Sequence, residues 1–374
     1  MLGQPAVQAA RPDFASEYFE QLRERYEQAA AARGGAGTLD LEMAGLRLRL
    51  RYVGEPLREA LLGPFDHLAC RQAGDPVLTI SLFDTASTGV EPPPPLWEPI
   101  AAAPGTNPVA RLRSERACVL AAAGSRALTA ALPAEGVAVF HLPDAAAIPA
   151  SERAAPIREA LQLLMAARGR LMTHAGAVGN GGRGVLLVGR GGSGKSTLAL
   201  SCALAGMEIV ADDYVLLDPT SLVAHAMQST AKLTEDSTAR LGIPAAAIDA
   251  AGFEPTLEGP AKALVDIRAL APTGLRPRLE VRAVIAPTLS SSQPAYMAGG
   301  GELAEVKPAV RTISAAEALR AVAPSTIVQA GFGSADSLAT LADLVRRVPS
   351  YALELSPNPV ANAAAVERLV ADLG

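Results

Sequence analysis

Lysine and cysteine are the scarce residues in this chain of 374. Only Lys195, Lys232, Lys262 and Lys307 are lysines among 33 basic residues. In a chain that otherwise uses arginine, each of the four invites a specific question. The three cysteines, Cys70, Cys118 and Cys202, are odd in number and far apart, which gives neither a disulfide framework nor a zinc-ligand spacing. No uncharged apolar run approaches the roughly 20 residues that cross a bilayer, so no membrane partner is expected. The stretch from Met1 to Ala10 has neither a basic region nor a compact apolar one, so nothing reads as a secretion signal and a soluble, cytoplasmic protein is expected. Basic runs are missing as well. With 38 acidic against 33 basic residues the formal net charge is −5, which argues against nucleic acid as the main partner.

What is present is a composition that can build a core. Hydrophobic residues make up 49% and charged residues 19%, which excludes a mostly disordered chain. The length suits two domains better than one, and the expected division is 1–165 and 166–374. In the first half, Pro12 to Arg33 reads as an exposed or partner-packed helix ended by glycines. Leu39–Val53, Val77–Phe83, Ala117–Ala122 and Val137–His141 read as strands. Pro92–Pro95 with Pro99, Pro104 and Pro108 read as a loop that no sheet interior accepts. This half is expected to be a smaller α/β or mainly-β domain. Ser151–Arg168 reads as one helix leading into the second half. There Leu171–Val178 and Gly184–Val188 read as strands around the Asn180-Gly181 turn, followed by a helix over Thr197–Ala205 and a strand over Glu208–Ala211. A strand at Val281–Ala286, helices at Ala315–Val322 and Ser337–Arg347, a strand at Tyr351–Leu355 and a last helix from Val360 complete a mixed α/β pattern.

The chemistry gathers in the second half. Gly189-Arg190-Gly191-Gly192-Ser193-Gly194-Lys195-Ser196, followed by Thr197, fits G-x-x-x-x-G-K-[ST]. Glycines let consecutive backbone N–H groups converge on phosphate oxygens, and the helix N-terminus adds its positive dipole end. In that motif Lys195 bridges the β- and γ-phosphates of ATP, and the Ser196 hydroxyl ligates Mg2+. The same glycines also satisfy G-x-G-x-x-G, with Asp212 where a dinucleotide-binding fold places its ribose acid. That alternative gives the Lys-Ser pair no task. Asp212-Asp213 close an apolar strand that a right-handed strand–helix–strand unit would bring near the loop. Two acids there can divide the work, one supporting Mg2+ and one accepting a proton.

The segments from His174-Ala-Gly-Ala-Val-Gly through the loop to Ala-Asp212-Asp213 resemble the catalytic domain of HPr kinase/phosphorylase. These are bacterial serine kinases with a fold akin to phosphoenolpyruvate carboxykinase. The resemblance covers roughly residues 170–218. It implies a P-loop domain of that class in which Lys195 holds phosphate, Ser196 and Asp212 serve the metal, Asp213 deprotonates the acceptor serine, and His174 lies beside the reacting phosphoryl group. Thr197 stands where the family has an acidic residue. Gln228-Ser-Thr-Ala-Lys-Leu233 replaces the family's Glu-Ile-Arg-Gly-Leu-Gly signature, so neither a second metal carboxylate nor the reverse reaction is implied. Lys232 is a candidate positive charge in that region, and Lys262 reads as a structural or surface residue.

The resulting expectation is an ATP- and Mg2+-dependent kinase acting on a serine of a protein or peptide, such as a ribosomally made precursor peptide. Self-association is left open. A small-molecule or carboxykinase-like phosphotransferase, and a nucleotide-binding regulatory module without transfer activity, are the other classes the loop allows.

Overall fold

The protein is described from a computed structural model over residues 13–70, 74–98, 109–255, 260–289, 306–329 and 335–373. Pro99, Pro104 and Pro108 of the expected proline loop, and residues 1–10, lie outside these ranges. Pro92–Pro95 join no strand, as their missing N–H donors require.

The first half is a seven-stranded sheet of β1 (Gly37–Met43), β2 (Leu46–Tyr52), β3 (Leu78–Asp84), β4 (Val109–Arg113), β5 (Cys118–Ala122), β6 (Leu128–Leu132) and β7 (Val137–Leu142). Their order is β1-β2-β3-β7-β6-β5-β4. The expected single strand over Leu39–Val53 is instead a hairpin. Ala44 and Gly45 both take positive φ, 53° and 74°, and such a turn matches the twist of the flanking strands. Asp40 stands opposite Arg49 across the hairpin and pairs with it at 2.7 Å. A helix over Phe14–Ala32 is capped by Asp13. One face of it is buried within the chain, where Tyr18, Phe19, Leu22 and Tyr26 lie against Phe83, Val119, Ala130 and Val139, while Glu17, Arg23, Glu24 and Glu27 on the other face are exposed.

The expected helix over Ser151–Arg168 is broken. Pro156 has no N–H to donate and Ile157 takes φ 48°, so two helices form, Ala150–Ala154 and Arg158–Ala166.

The second half is a mixed sheet of nine strands. These are β8 (Leu171–Thr173), β9 (Gly176–Asn180), β10 (Arg183–Leu187), β11 (Glu208–Ala211), β12 (Val215–Asp218), β13 (Val223–His225), β16 (Arg278–Leu289), β17 (Ala309–Thr312) and β18 (Ser350–Leu355). The main order is β11-β9-β10-β16-β13-β12-β8, and β18 pairs with the later residues of β16 and carries β17 outside it. Leu171–Val178, expected as one strand, is divided at His174-Ala175. The earlier piece pairs with β12 and the later one with β10 and β11. A two-stranded ribbon, β14 (Thr230–Thr234) with β15 (Lys262–Asp266), stands apart from both sheets.

Helices Lys195–Leu204 and Pro359–Asp372 cover one face of this sheet, where Leu198, Cys202 and Val366 pack on Val178, Val185 and Leu187. The other face shares a continuous apolar cluster with the first sheet, running from Leu48 and Phe140 through Leu161 to Leu216 and Val284. All three cysteines are free. Among the described residues no helix is long and apolar enough to cross a membrane.

Candidate functional site

Strand order places the loop and the acidic pair together. β9 pairs antiparallel with β10 on one side and with β11 on the other, so β10 and β11 run in the same direction. The glycine loop follows β10 and Asp212-Asp213 follow β11, so both leave the sheet at the same edge. The loop takes a shape that only glycines accept easily. Gly189, Gly192 and Gly194 have φ of 147°, 78° and 93°. Gly194 also ends against Leu355, whose Cδ1 would lie 2.4 Å from an added Cβ.

Lys195 opens the following helix and is buried. Its Nζ donates to the Gly189 carbonyl at 2.8 Å and to the Arg190 carbonyl at 3.2 Å. Burial lowers its pKa, Lys232 and Lys262 push the same way, and Asp213 and Asp212 oppose them. Arg190 and Gly191 are exposed at the loop's outer edge. Ser193 Oγ is buried and has no hydrogen-bond partner among the described residues. Thr197, grouped by sequence with the cofactor-binding residues, turns its hydroxyl to Ser237 Oγ at 3.1 Å.

The two carboxylates sit in different surroundings. Asp212 is buried, with Oδ2 accepting from the Lys232 backbone N–H at 3.3 Å and Oδ1 without a hydrogen-bond partner among the described residues. Burial pushes its pKa up to about 6, the charge of Asp213 adds to the rise, and the Ser196 hydroxyl acts in the opposite sense. For Asp213, burial alone would also raise the pKa. Lys232 and His174 outweigh it and hold the carboxyl well below the usual range. Lys232 Nζ lies 2.9 Å from Oδ2 and His174 Nε2 lies 2.7 Å from Oδ1. Unequal environments thus separate two adjacent acids into one readily protonated group and one firmly ionised group.

His174 sits where the chain leaves β8 for β9. Its ring stacks on Tyr214 with centroids 5.2 Å apart, and its backbone N–H donates to Thr326 Oγ1 at 3.2 Å. Arg158, at the start of the helix that Ile157 redirects, carries its guanidinium over the Tyr214 ring at 5.7 Å and donates to the Tyr214 hydroxyl at 3.3 Å. Neither Tyr214 nor Arg158 stood out by sequence. The signal for Tyr214 was its place directly after the acidic pair.

Lys262, a structural or surface residue by sequence, is half-buried at the start of β15. In the β14–β15 register Lys262 faces Thr234, and Thr234 shares its side of the ribbon with Lys232. Lys232 and Lys262 therefore share one face of the ribbon, the face whose Lys232 ammonium reaches Asp213.

The residues present fit a nucleotide phosphate tail with a hard cation. The loop offers consecutive N–H groups in left-handed glycine conformations, and the buried Oδ1 of Asp212 awaits a partner beside Ser196. Among the described residues no group of three or more His, Cys, Asp or Glu side chains is placed to hold a metal. A cation here would draw most of its ligands from phosphate oxygens and water, which is how Mg2+ is usually held.

No protein-family model matches the chain, and no curated protein matches it. Among solved structures, the HPr(Ser) kinase/phosphatase from Coxiella burnetii is matched at 17% identity and a TM-score of 0.28, over 54% of this chain and 98% of that one.

Proposed function

We propose that the protein is an ATP- and Mg2+-dependent kinase that phosphorylates a serine hydroxyl of a protein or peptide. The observation that carries this reading is the arrival of Asp212 and Asp213 at the sheet edge where the glycine loop opens. Asp212 lies beside Ser196, and both acids act on Lys195. A glycine turn bearing a surface lysine would need no buried acidic pair beside it. The serine as acceptor follows from the sequence resemblance over residues 170–218.

In this reading Lys195 exchanges the Gly189 and Arg190 carbonyls for β- and γ-phosphate oxygens. Ser196 and Asp212 hold Mg2+, which when bound offsets the negative charge of the phosphate oxygens. Asp213 orients the acceptor hydroxyl and takes its proton as the serine oxygen bonds to the γ-phosphorus. The bond to the β-phosphate oxygen breaks, and ADP departs with its electron pair. Such transfers pass through a loose transition state in which the hydroxyl proton leaves late, so a weakly basic carboxylate suffices. His174 holds Asp213 in place and Tyr214 holds His174. Gly189 to Gly194 supply N–H groups that stabilise the spreading charge.

Residues 166–374 form the catalytic domain in this proposal, and residues 1–165 contribute substrate recognition. A site that consumes ATP suits the cytoplasm. Incubation with labelled ATP, Mg2+ and candidate acceptors tests the reading. Phosphoserine on a peptide or protein is the expected product. Label on a metabolite would instead make the protein a small-molecule phosphotransferase, and nucleotide binding without transfer would make it a regulatory module.

A further inference from the structure

We infer that Lys232 and Lys262 form a second oxyanion subsite on the β14–β15 ribbon, separate from the glycine loop, which takes the terminal phosphoryl group of the bound nucleotide. The inference rests on the kinase reading and adds to it the residues that tell a triphosphate from a diphosphate.

The register places the two lysines on one face of the ribbon. Lys232 stands opposite Leu264, Lys262 opposite Thr234, and residues two apart on a strand share a face. Lys262 is half-buried, and among the described residues its ammonium has no ion-pair or hydrogen-bond partner. Arginine fills 29 of the 33 basic positions, so two lysines on one face of a short ribbon depart from the chain's usage. Lys195, Lys232 and Lys262 set three positive charges against the two carboxylates of Asp212 and Asp213. The site is therefore short of negative charge in a half-buried setting. A triphosphate supplies that charge where a diphosphate supplies less of it.

The same arrangement gives Lys232 two tasks. Its ammonium is paired with Asp213 Oδ2 at 2.9 Å, and His174 occupies Oδ1. With both oxygens engaged, Asp213 is a poor proton acceptor. A terminal phosphoryl group beside the ribbon competes for Lys232. As the ammonium turns toward it, Asp213 Oδ2 is released to accept from the incoming hydroxyl. The base is then exposed only when the group to be transferred is present, which disfavours futile activation by ADP.

Calorimetric titration of the full chain with Mg2+ and either ADP or the β,γ-imido analogue of ATP tests the subsite. In Lys262→Gln the analogue should bind about tenfold more weakly, the scale of one lost charged hydrogen bond, while ADP affinity stays within about twofold. Lys262→Arg should restore most of the loss. Unchanged ADP binding also shows that the variant is folded. A Lys262→Gln protein that binds the analogue as well as the wild type does, or loses affinity for both nucleotides equally, would overturn the subsite while leaving the kinase reading standing. A wild-type protein that binds neither nucleotide would remove both.

Discussion

His174 Nε2 and Asp213 Oδ1 meet at 2.7 Å although 39 positions separate them along the chain. The contact exists because β8 ends at Thr173 and the chain crosses to a different place in the sheet before β9 begins. His174 lies in that crossing, and the Tyr214 ring beneath it limits how it can turn. Asp213 is thereby held at both oxygens, by an imidazole on one side and an ammonium on the other. Such a carboxylate is better suited to orienting a hydroxyl than to tearing a proton from it.

Asp213→Asn should leave nucleotide binding within a few-fold and lower phosphotransfer by about 100-fold or more, the usual contribution of a positioned proton acceptor. Single-turnover transfer from labelled ATP gives the second quantity and calorimetry the first. Full transfer by the variant would remove Asp213 as the base. Lys195→Ala should do the reverse and weaken the binding of every phosphate-bearing nucleotide, because Lys195 is the buried cation of the loop.

Asp212→Asn should stabilise the protein in the absence of metal. The folded-state pKa of Asp212 is raised to about 6, so its ionised form is disfavoured by folding. The cost is absent well below pH 4, grows as pH rises, and above pH 6 reaches up to about 3 kcal/mol. Removing the charge should therefore raise the melting temperature at pH 8 by a few degrees and change it less at pH 5. The same substitution should abolish stabilisation by Mg2+ with nucleotide. A lower melting temperature at pH 8 would show that the carboxylate is needed for folding instead.

The site was legible where its residues are contiguous. Gly189 to Gly194, the helix that follows and the strand that ends at Ala211 just before Asp212 could be read because loop, helix and strand follow one another within a few residues, and local spacing decides their arrangement. The place of Lys262 was not legible, since its sharing a face with Lys232 depends on the β14–β15 register, a pairing across about thirty residues. In the fold, the strand expected over Leu39–Val53 hid a hairpin because its turn is Ala44-Gly45, with an alanine in the left-handed region where asparagine or glycine would have signalled it. The break between β8 and β9 was hidden for a similar reason. Both pieces are apolar and buried, so the hydrophobic pattern runs on while the pairing partner changes.

Gly194→Ala should destabilise the loop specifically. At φ 93° any side chain is strained, and the new methyl group would meet Leu355. The expected cost is about 1–3 kcal/mol, shared between backbone strain and displacement of Leu355 from its packed position. Urea unfolding should show the loss, and Leu355→Ala in the same chain should recover ATP affinity if the clash is the cause. No recovery would assign the loss to backbone strain alone.

Acid should weaken the protein through histidines that lie outside the site. His67, His141 and His225 are each held down to about 4, mainly by burial, against about 6.5 for an unfolded chain. The unfolded chain therefore takes up protons that the folded one refuses. Stability is fully retained above pH 6.5 and declines as pH falls from there toward 4. His141 makes the clearest test, being 3% exposed, packed on Phe83 and hydrogen-bonded to Thr85. His141→Gln keeps a polar group facing Thr85 and removes the titration. It should lower stability at pH 7 and show a smaller further loss between pH 7 and pH 5 than the wild type, by about 1–2 kcal/mol in urea unfolding. An identical fall in both proteins would mean that His141 is not held neutral by its surroundings.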